Sequence, residues 1–377
     1  MLLAMLSAFV PLSTDLYLPA LPGMTCSFGV SVFEMNLTLT LFFVFYAITT
    51  LIWGPLSDKY GRRPVLIAGM TGYTAASALC GAASSVGQLI VFRILQAAGG
   101  GAASALATAI VKDVYKGKKQ ESILAVVQSM VSVCPAVAPV IGAMLLKITS
   151  WRGVFYTQAI FGAIALAGSI AFKETIAEKN SGASLMRVFG RLGVVLKNVP
   201  FTKMLLIFAG MNVPLMAFIS SSAYIYQNGF GLDSQKYSYF FALNAAGLLF
   251  GPFLYVRLSP RLGRMSLINA SFVLTILSGV LICAFGGLSH WIFAGAVLLA
   301  SMMNSCQRPP GVYLMLQQQK TDAGSASSLI TASSIAMGSV GMLLASATSL
   351  DPVFAVGALN GMACGGEVGF KLQELIN

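Results

Sequence analysis

The chain has 377 residues, 57% of them hydrophobic, with 23 Lys and Arg against 12 Asp and Glu, and a mean hydropathy of +0.82. Charged residues make up 9% of it, far below the roughly 25% of a soluble globular protein, which excludes a soluble fold. The net charge of +11 is scattered through short connections between apolar runs and forms no continuous basic face, which excludes a nucleic-acid partner.

Apolar runs of about twenty residues, the length that crosses a bilayer core as a helix, recur along the whole chain. In chain order they predict twelve spans, over 1–22, 36–56, 64–83, 87–111, 122–147, 153–172, 203–223, 238–256, 265–286, 290–312, 323–347 and 351–370. The first run has no basic flank and is interrupted by Pro11, Asp15 and Pro19, which reads as a retained span and not a cleaved signal. Small residues such as Gly99-Gly100-Gly101-Ala102-Ala103 supply the close helix contacts that lipid-embedded bundles need. Arg308 with Pro309 and Pro310 predicts a helix end at the close of the tenth span, and Gly365-Gly366-Glu367 interrupts the last.

Lysine and arginine set the orientation. One series of connections carries Lys59, Arg62 and Arg63, then Lys112, Lys116, Lys118 and Lys119, then six cations between Lys173 and Lys203, then Arg257, Arg261 and Arg264, then Lys320; the other carries only Lys147, Arg152 and Lys236. The first series and both termini are therefore expected in the cytoplasm. The longest connection, 173–202, separates an N-terminal six-helix bundle (1–172) from a C-terminal one (203–377). Leu185, Val188, Phe189, Leu192, Val195, Leu196 and Val199 recur in it at helical spacing, which fits an amphipathic helix lying in the membrane interface, with a partly ordered linker as the alternative. Leu56-Ser57-Asp58-Lys59-Tyr60-Gly61-Arg62 is echoed 202 residues later by Leu258-Ser259-Pro260-Arg261-Leu262-Gly263-Arg264, after the equivalent span of the second half. Such a repeat predicts two related bundles with a ligand held near the midplane between them.

Candidate chemistry is sparse. His290 is the one histidine and the six cysteines fall singly, so neither a metal site, a cofactor nor an enzyme is expected. An ionisable group inside a span costs roughly 2.5–3.5 kcal/mol at a helix centre, which makes Asp15 and Arg93 the informative pair. Counting residues from the predicted span ends at ~1.5 Å each puts both roughly 9–10 Å below the outer surface, a shared depth that permits a pair. Asp15 then either titrates as its distance from Arg93 changes or forms a permanent bond that ties two helices. Tyr17, Tyr46, Gln96, Gln128, Asn212, Tyr224, Asn244 and Gln307 are polar groups in apolar runs that either bond neighbouring helices or line a wet cavity. With 24 Phe and 18 Met they suit an adaptable, mostly apolar pocket.

Gly54-Pro55-Leu56-Ser57-Asp58-Lys59-Tyr60-Gly61-Arg62-Arg63 resembles the loop signature G-x-L-x-D-x-x-G-R-[RK] of the major facilitator superfamily. Arg93-Ile94-Leu95-Gln96-Ala97-Ala98-Gly99 is similar to its fourth-span motif, and Cys134-Pro135-Ala136-Val137-Ala138-Pro139-Val140-Ile141-Gly142 to the fifth-span motif of antiporters. Thr14-Asp15-Leu16-Tyr17-Leu18-Pro19-Ala20-Leu21-Pro22 resembles the first span of the bicyclomycin and chloramphenicol resistance branch of drug:proton antiporters. The resemblance implies an all-α membrane fold of twelve helices in two pseudo-symmetric bundles, and a monomer in a bacterial inner membrane. It also implies export of hydrophobic or amphipathic compounds in exchange for protons. Import by symport, or facilitated passage of a small metabolite, remains the alternative on the same fold. Asp15 would be the protonatable, substrate-facing acid and Arg93 its tuning partner. Gly54, Asp58, Gly61, Arg62 and Arg63 would gate the cytoplasmic side, and Pro135, Pro139 and Gly142 would shape the helix motion that opposes leak. The chain departs from the pattern in having almost no tail before the first span and in placing Pro260 where the repeat would carry the loop acid.

Overall fold

Inside a bilayer, backbone N–H and C=O groups have no water to pair with, so a spanning chain pairs them within itself as helix. The computed structural model describes residues 2–176, 185–319, 323–348 and 350–363, and no strand occurs among them. Fifteen α-helices follow one another in these residues: α1 Leu2–Asp15, α2 Leu21–Phe28, α3 Val32–Tyr60, α4 Arg62–Ala82, α5 Val86–Val114, α6 Gly117–Ile148, α7 Trp151–Ala171, α8 Leu185–Leu196, α9 Val199–Gly210, α10 Asn212–Tyr224, α11 Ser234–Leu262, α12 Arg264–Phe285, α13 His290–Gln317, α14 Ala323–Ala347 and α15 Pro352–Ala363.

Their ends lie where cap chemistry puts them. Ser31 and Glu34 bond each other's backbone at the start of α3 as a capping box, and Ser85, Asn198, Asp233 and Ser289 cap α5, α9, α11 and α13. The two copies of the loop repeat close on Gly61 (φ 108°) and Gly263 (φ 80°), whose amides donate to the carbonyls of Ser57 and Ser259. A positive φ there strains any residue with a Cβ, which accounts for the shared glycine.

Ten stretches are long and apolar enough to cross a membrane, with α1–α2 and α9–α10 each acting as one interrupted span. Two of the twelve predicted spans fall outside that set. The tenth, α13, is 28 residues long, but His290, Asn304, Gln307 and Arg308 dilute its apolar character; the twelfth, α15, has 12 described residues, and Glu367 lies outside the described residues. The helix end predicted at Arg308-Pro309-Pro310 is a misreading. α13 continues through both prolines to Gln317, held by packing against α11, α12 and α9, with Gly311 pressed on the Phe208 ring.

The chain divides into two units, Met1–Phe189 and Gly190–Asn377. In the first, α5 packs on α3 and α4, α4 on α7, and α1 on α6; in the second, α13 packs on α11 and α12, α12 on α15, and α10 on α14. The pairing scheme is the same in both, as the loop repeat implies. Large apolar side chains such as Phe253, 73% exposed, face outward from α11, a surface suited to lipid and unfavourable in water.

Each unit has close backbone approaches that only glycine permits, and the tightest in each involves the interrupted span. A Cβ on Gly142 would lie 1.9 Å from the Leu16 carbonyl oxygen, and one on Gly341 would lie 2.1 Å from that of Val213. Backbone cannot yield as a flexible side chain would. Gly142→Ala is therefore expected to lower the thermal stability of the purified protein by about 1–3 kcal/mol. Gly54→Ala, where nothing lies within 4 Å of the new methyl, should leave it unchanged in the same melt; equal melts for the two would contradict the contact.

Candidate transport site

The first span leaves the α path at Asp15, runs through a 3-10 turn at Leu18–Ala20 that contains Pro19, and resumes as α2. A break in a helix leaves carbonyls near it short of partners; the Leu12 carbonyl keeps the Leu16 amide at 3.4 Å, and side chains reach in as well. Arg93 of α5 donates from Nη1 to the Ser13 carbonyl at 2.8 Å, and Gln158 of α7 donates from Nε2 to the Leu12 and Ser13 carbonyls, both at 3.4 Å. Arg93 Nη1 also donates to Gln96 Oε1 at 2.6 Å, while Gln96 Nε2 donates to Ser77 Oγ and to Gln158 Oε1, both at 2.8 Å. Ser13 Oγ donates to the Phe9 carbonyl and shares a 2.6 Å hydrogen bond with the buried Tyr73 hydroxyl. Four helices thus meet at one interrupted turn.

Arg93 is fully buried, its guanidinium 4.5 Å from the Tyr17 ring centroid and 4.2 Å from that of Phe42. Two π faces stabilise a cation that lacks water. Its Nε and Nη2 have no hydrogen-bond partner among the described residues. Asp15 is also buried and accepts from Thr14 Oγ1 at 3.0 Å. The ion pair that equal depth permits is not made: the two ion pairs among the described residues both belong to Arg62. Arg93 spends its reach on the Ser13 carbonyl, two residues before the acid.

The other singled-out polar residues are placed as follows. Tyr17 is buried, its hydroxyl 3.1 Å from Thr38 Oγ1, and Tyr46 donates to Ser104 at 3.0 Å. Gln96 belongs to the Arg93 network, and Asn244 exchanges hydrogen bonds with Ser301 at 3.0 and 3.2 Å. Tyr224 is buried and Gln128 exposed on α6. Asn212 lines a cleft in the second unit together with Gln307 and Arg308. In this conformation Tyr17, Tyr46, Gln96 and Asn244 bond neighbouring helices. Gly142 of the antiporter motif touches the interrupted first span, and Pro135 and Pro139 lie within the continuous α6.

At the end of the unit rich in lysine and arginine, Arg62 holds Asp58 at 2.6 Å and Asp113 at 2.8 Å, and donates to Ser57 Oγ at 2.5 Å. Glu174 accepts from the backbone amides of Arg62 (2.9 Å) and Arg63 (3.1 Å), capping α4, and Arg63 donates to the Ile170 carbonyl at 2.8 Å. Gly61 provides the turn, and Gly54 stands clear of other elements. Asp113 and Glu174 are functional candidates that sequence reasoning missed. Each is an acid among the cations that close a span, a signal open to a reader who tallies both signs.

Set against known proteins, this arrangement has a family. The model of the Major Facilitator Superfamily matches residues 3–342, and the chain belongs to that superfamily. It is a multi-pass membrane transporter for a small-molecule substrate, and not an enzyme. It is 26% identical over 366 residues to a bicyclomycin resistance protein homolog of Haemophilus influenzae, covering 94% of this chain and 92% of that one. It is 30% identical over 287 residues to a chloramphenicol resistance protein of Pseudomonas aeruginosa, covering 75% and 67%. Among solved structures, the nucleoside transporter NupG shares the fold with a TM-score of 0.78 at 10% identity, each chain covered in full. A bacterial homolog of the lysosomal transporter Spinster does so with 0.74 at 15%, covering 100% of this chain and 94% of that one.

Glu174 gives the loop a pH dependence. Although burial opposes its charge, four backbone amides, those of Ile176, Arg62, Arg63 and Thr175, hold its carboxyl below the ordinary 4.5. A carboxyl with a depressed folded pKa contributes stability that is present above its unfolded value and lost as pH falls through the folded one. The melting temperature of wild type should therefore exceed that of Glu174→Gln at about pH 7, and the gap should close as the melts are taken down to about pH 3. A gap independent of pH would contradict the capping role.

Proposed function

We propose that the chain is a proton-driven exporter of hydrophobic or amphipathic drug-like compounds, working by alternating access in a bacterial inner membrane as a monomer with both termini in the cytoplasm. The observation that carries this is the pair of unmet hydrogen-bonding capacities at the break in the first span. Among the described residues Arg93 keeps Nε and Nη2 unpaired and Asp15 has Thr14 as its one hydrogen-bond partner, both buried in one unit.

A buried carboxyl with one neutral partner is favoured in its protonated form, and a guanidinium with spare donors favours the anion. A small rearrangement of the interrupted turn that trades the Ser13 carbonyl for the Asp15 carboxylate moves the acid between those states. Proton release on one side of the membrane and uptake on the other then accompany cargo movement. Moving one charge through 100 mV supplies about 2.3 kcal/mol, enough to sustain roughly a 50-fold gradient of a neutral solute. The names of the relatives, bicyclomycin resistance homolog and chloramphenicol resistance protein, support the drug-like class. The Arg62, Asp58, Asp113 and Glu174 cluster serves as the latch that gates the cytoplasmic side, and Gly142 lets the antiporter helix ride against the broken turn.

Everted vesicles test this. Adding substrate to energised wild-type vesicles should make the lumen more alkaline, as protons leave in exchange. Asp15→Asn, inserted to the same level, should abolish the response and the resistance it confers on a pump-deficient host. Acidification of the lumen would assign symport; undiminished exchange in the variant would remove Asp15 from the mechanism.

A further inference from the structure

The second unit contains a polar pair that its own fold leaves unused. Gln307 of α13 is 2% exposed, and among the described residues neither its amide nitrogen nor its carbonyl oxygen has a hydrogen-bond partner. Arg308, the next residue, has no carboxylate within 4.0 Å among the described residues. Both line a narrow cleft, with about 30 Å³ of water-sized space inside it, walled by Phe208, Met211, Met315 and Ile330. Asn304, which also lines it, already donates to the Met211 carbonyl.

The first unit provides an internal control. Gln96, three residues from Arg93 on α5, has every polar atom engaged, by Arg93, Ser77 and Gln158. There the pocket is closed by the protein's own groups. Here a buried amide stands open beside an exposed guanidinium, and a buried amide is rarely left without a partner.

We propose that this cleft is a recognition site for an oxyanion, a carboxylate or sulfonate, carried on an apolar body. Arg308 has only donors to offer, in a planar fork that matches two oxygens, and the Gln307 amide adds a third donor. The phenyl, thioether and aliphatic walls take the body. A cationic compound is excluded by Arg308, so the exporter's cargo is narrowed to neutral and acidic amphiphiles. Calling the ligand cargo rests on the export reading; the site itself does not.

Binding to the purified full-length protein in detergent, with no proton gradient, tests the site apart from transport. The probes are naphthalene-2-carboxylate and its neutral amide, followed by calorimetry. Wild type should bind the carboxylate at least tenfold more tightly than the amide. Arg308→Gln should bring the two within about twofold by weakening the carboxylate alone, Arg308→Lys should keep part of the preference, and Gln307→Met should reduce it. Retained amide binding and an unchanged melt show that each variant is folded. Equal affinities in wild type, or a preference that survives Arg308→Gln, would overturn the proposal. Dihexanoylphosphatidylglycerol separates the two sources of such an anion. Failure to displace the naphthoate supports a soluble ligand; displacement at concentrations below those at which the naphthoate binds assigns the cleft to a lipid headgroup and overturns its role in cargo selection.

Discussion

A carbonyl in hydrocarbon must have a donor, and the site in the first unit is organised by that demand. Proline and a 3-10 turn open the first span between Asp15 and Leu21, and the Ser13 carbonyl is satisfied from outside by Arg93 and Gln158, while that of Leu12 keeps the Leu16 amide. The cost of burying an arginine is offset by a backbone acceptor, an amide and two aromatic faces. The same break puts the buried Asp15 at a helix terminus, where among the described residues it has one hydroxyl partner. Structure and proposed mechanism therefore share one cause: the turn that needs Arg93 is the turn that frees the acid.

The second unit meets the demand differently. Its interrupted span, α9 to α10, breaks at Met211, and Asn304 donates to that carbonyl from α13. Arg93 and Asn304 do not occupy equivalent repeat positions, since they are 211 residues apart against 202 for the loop repeat. The glycine contacts do correspond: Gly142 on Leu16, Gly341 on Val213. Backbone geometry is thus common to the two units while the polar chemistry differs. The first unit carries a buried acid and base; the second carries Gln307 and Arg308 beside an open cleft. The two proposals together would divide the labour, with proton handling in one unit and ligand discrimination in the other.

Much of the architecture was legible in the residues. Sparse charge and recurring apolar runs specify membrane helices, and the loop around Gly61 recurs around Gly263 because both turns need a positive φ. Asp15 and Arg93 stand out because ionised groups in apolar runs are rare. What could not be read was the partner. Depth counting brings Asp15 and Arg93 level, yet it is blind to the competing carbonyl of Ser13, which exists as an acceptor only because the helix breaks. Gln158 and Tyr73 are ordinary span residues until α7 and α4 are placed beside α1. Asp113 and Glu174 sit 61 residues apart in the chain and meet at Arg62 only through the packing of α4 between α5 and α7. The prolines after Arg308 imply a stop by local rules, and packing carries the helix past them.

Infrared difference spectroscopy of the protein in lipid, with and without substrate near neutral pH, measures the protonation of the buried carboxyl directly. The account predicts that substrate binding abolishes a protonated-carboxyl band in wild type, and that this difference is missing from Asp15→Asn. A band absent before substrate, indifferent to it, or still changing in the variant would contradict the claim that Asp15 exchanges its proton for cargo.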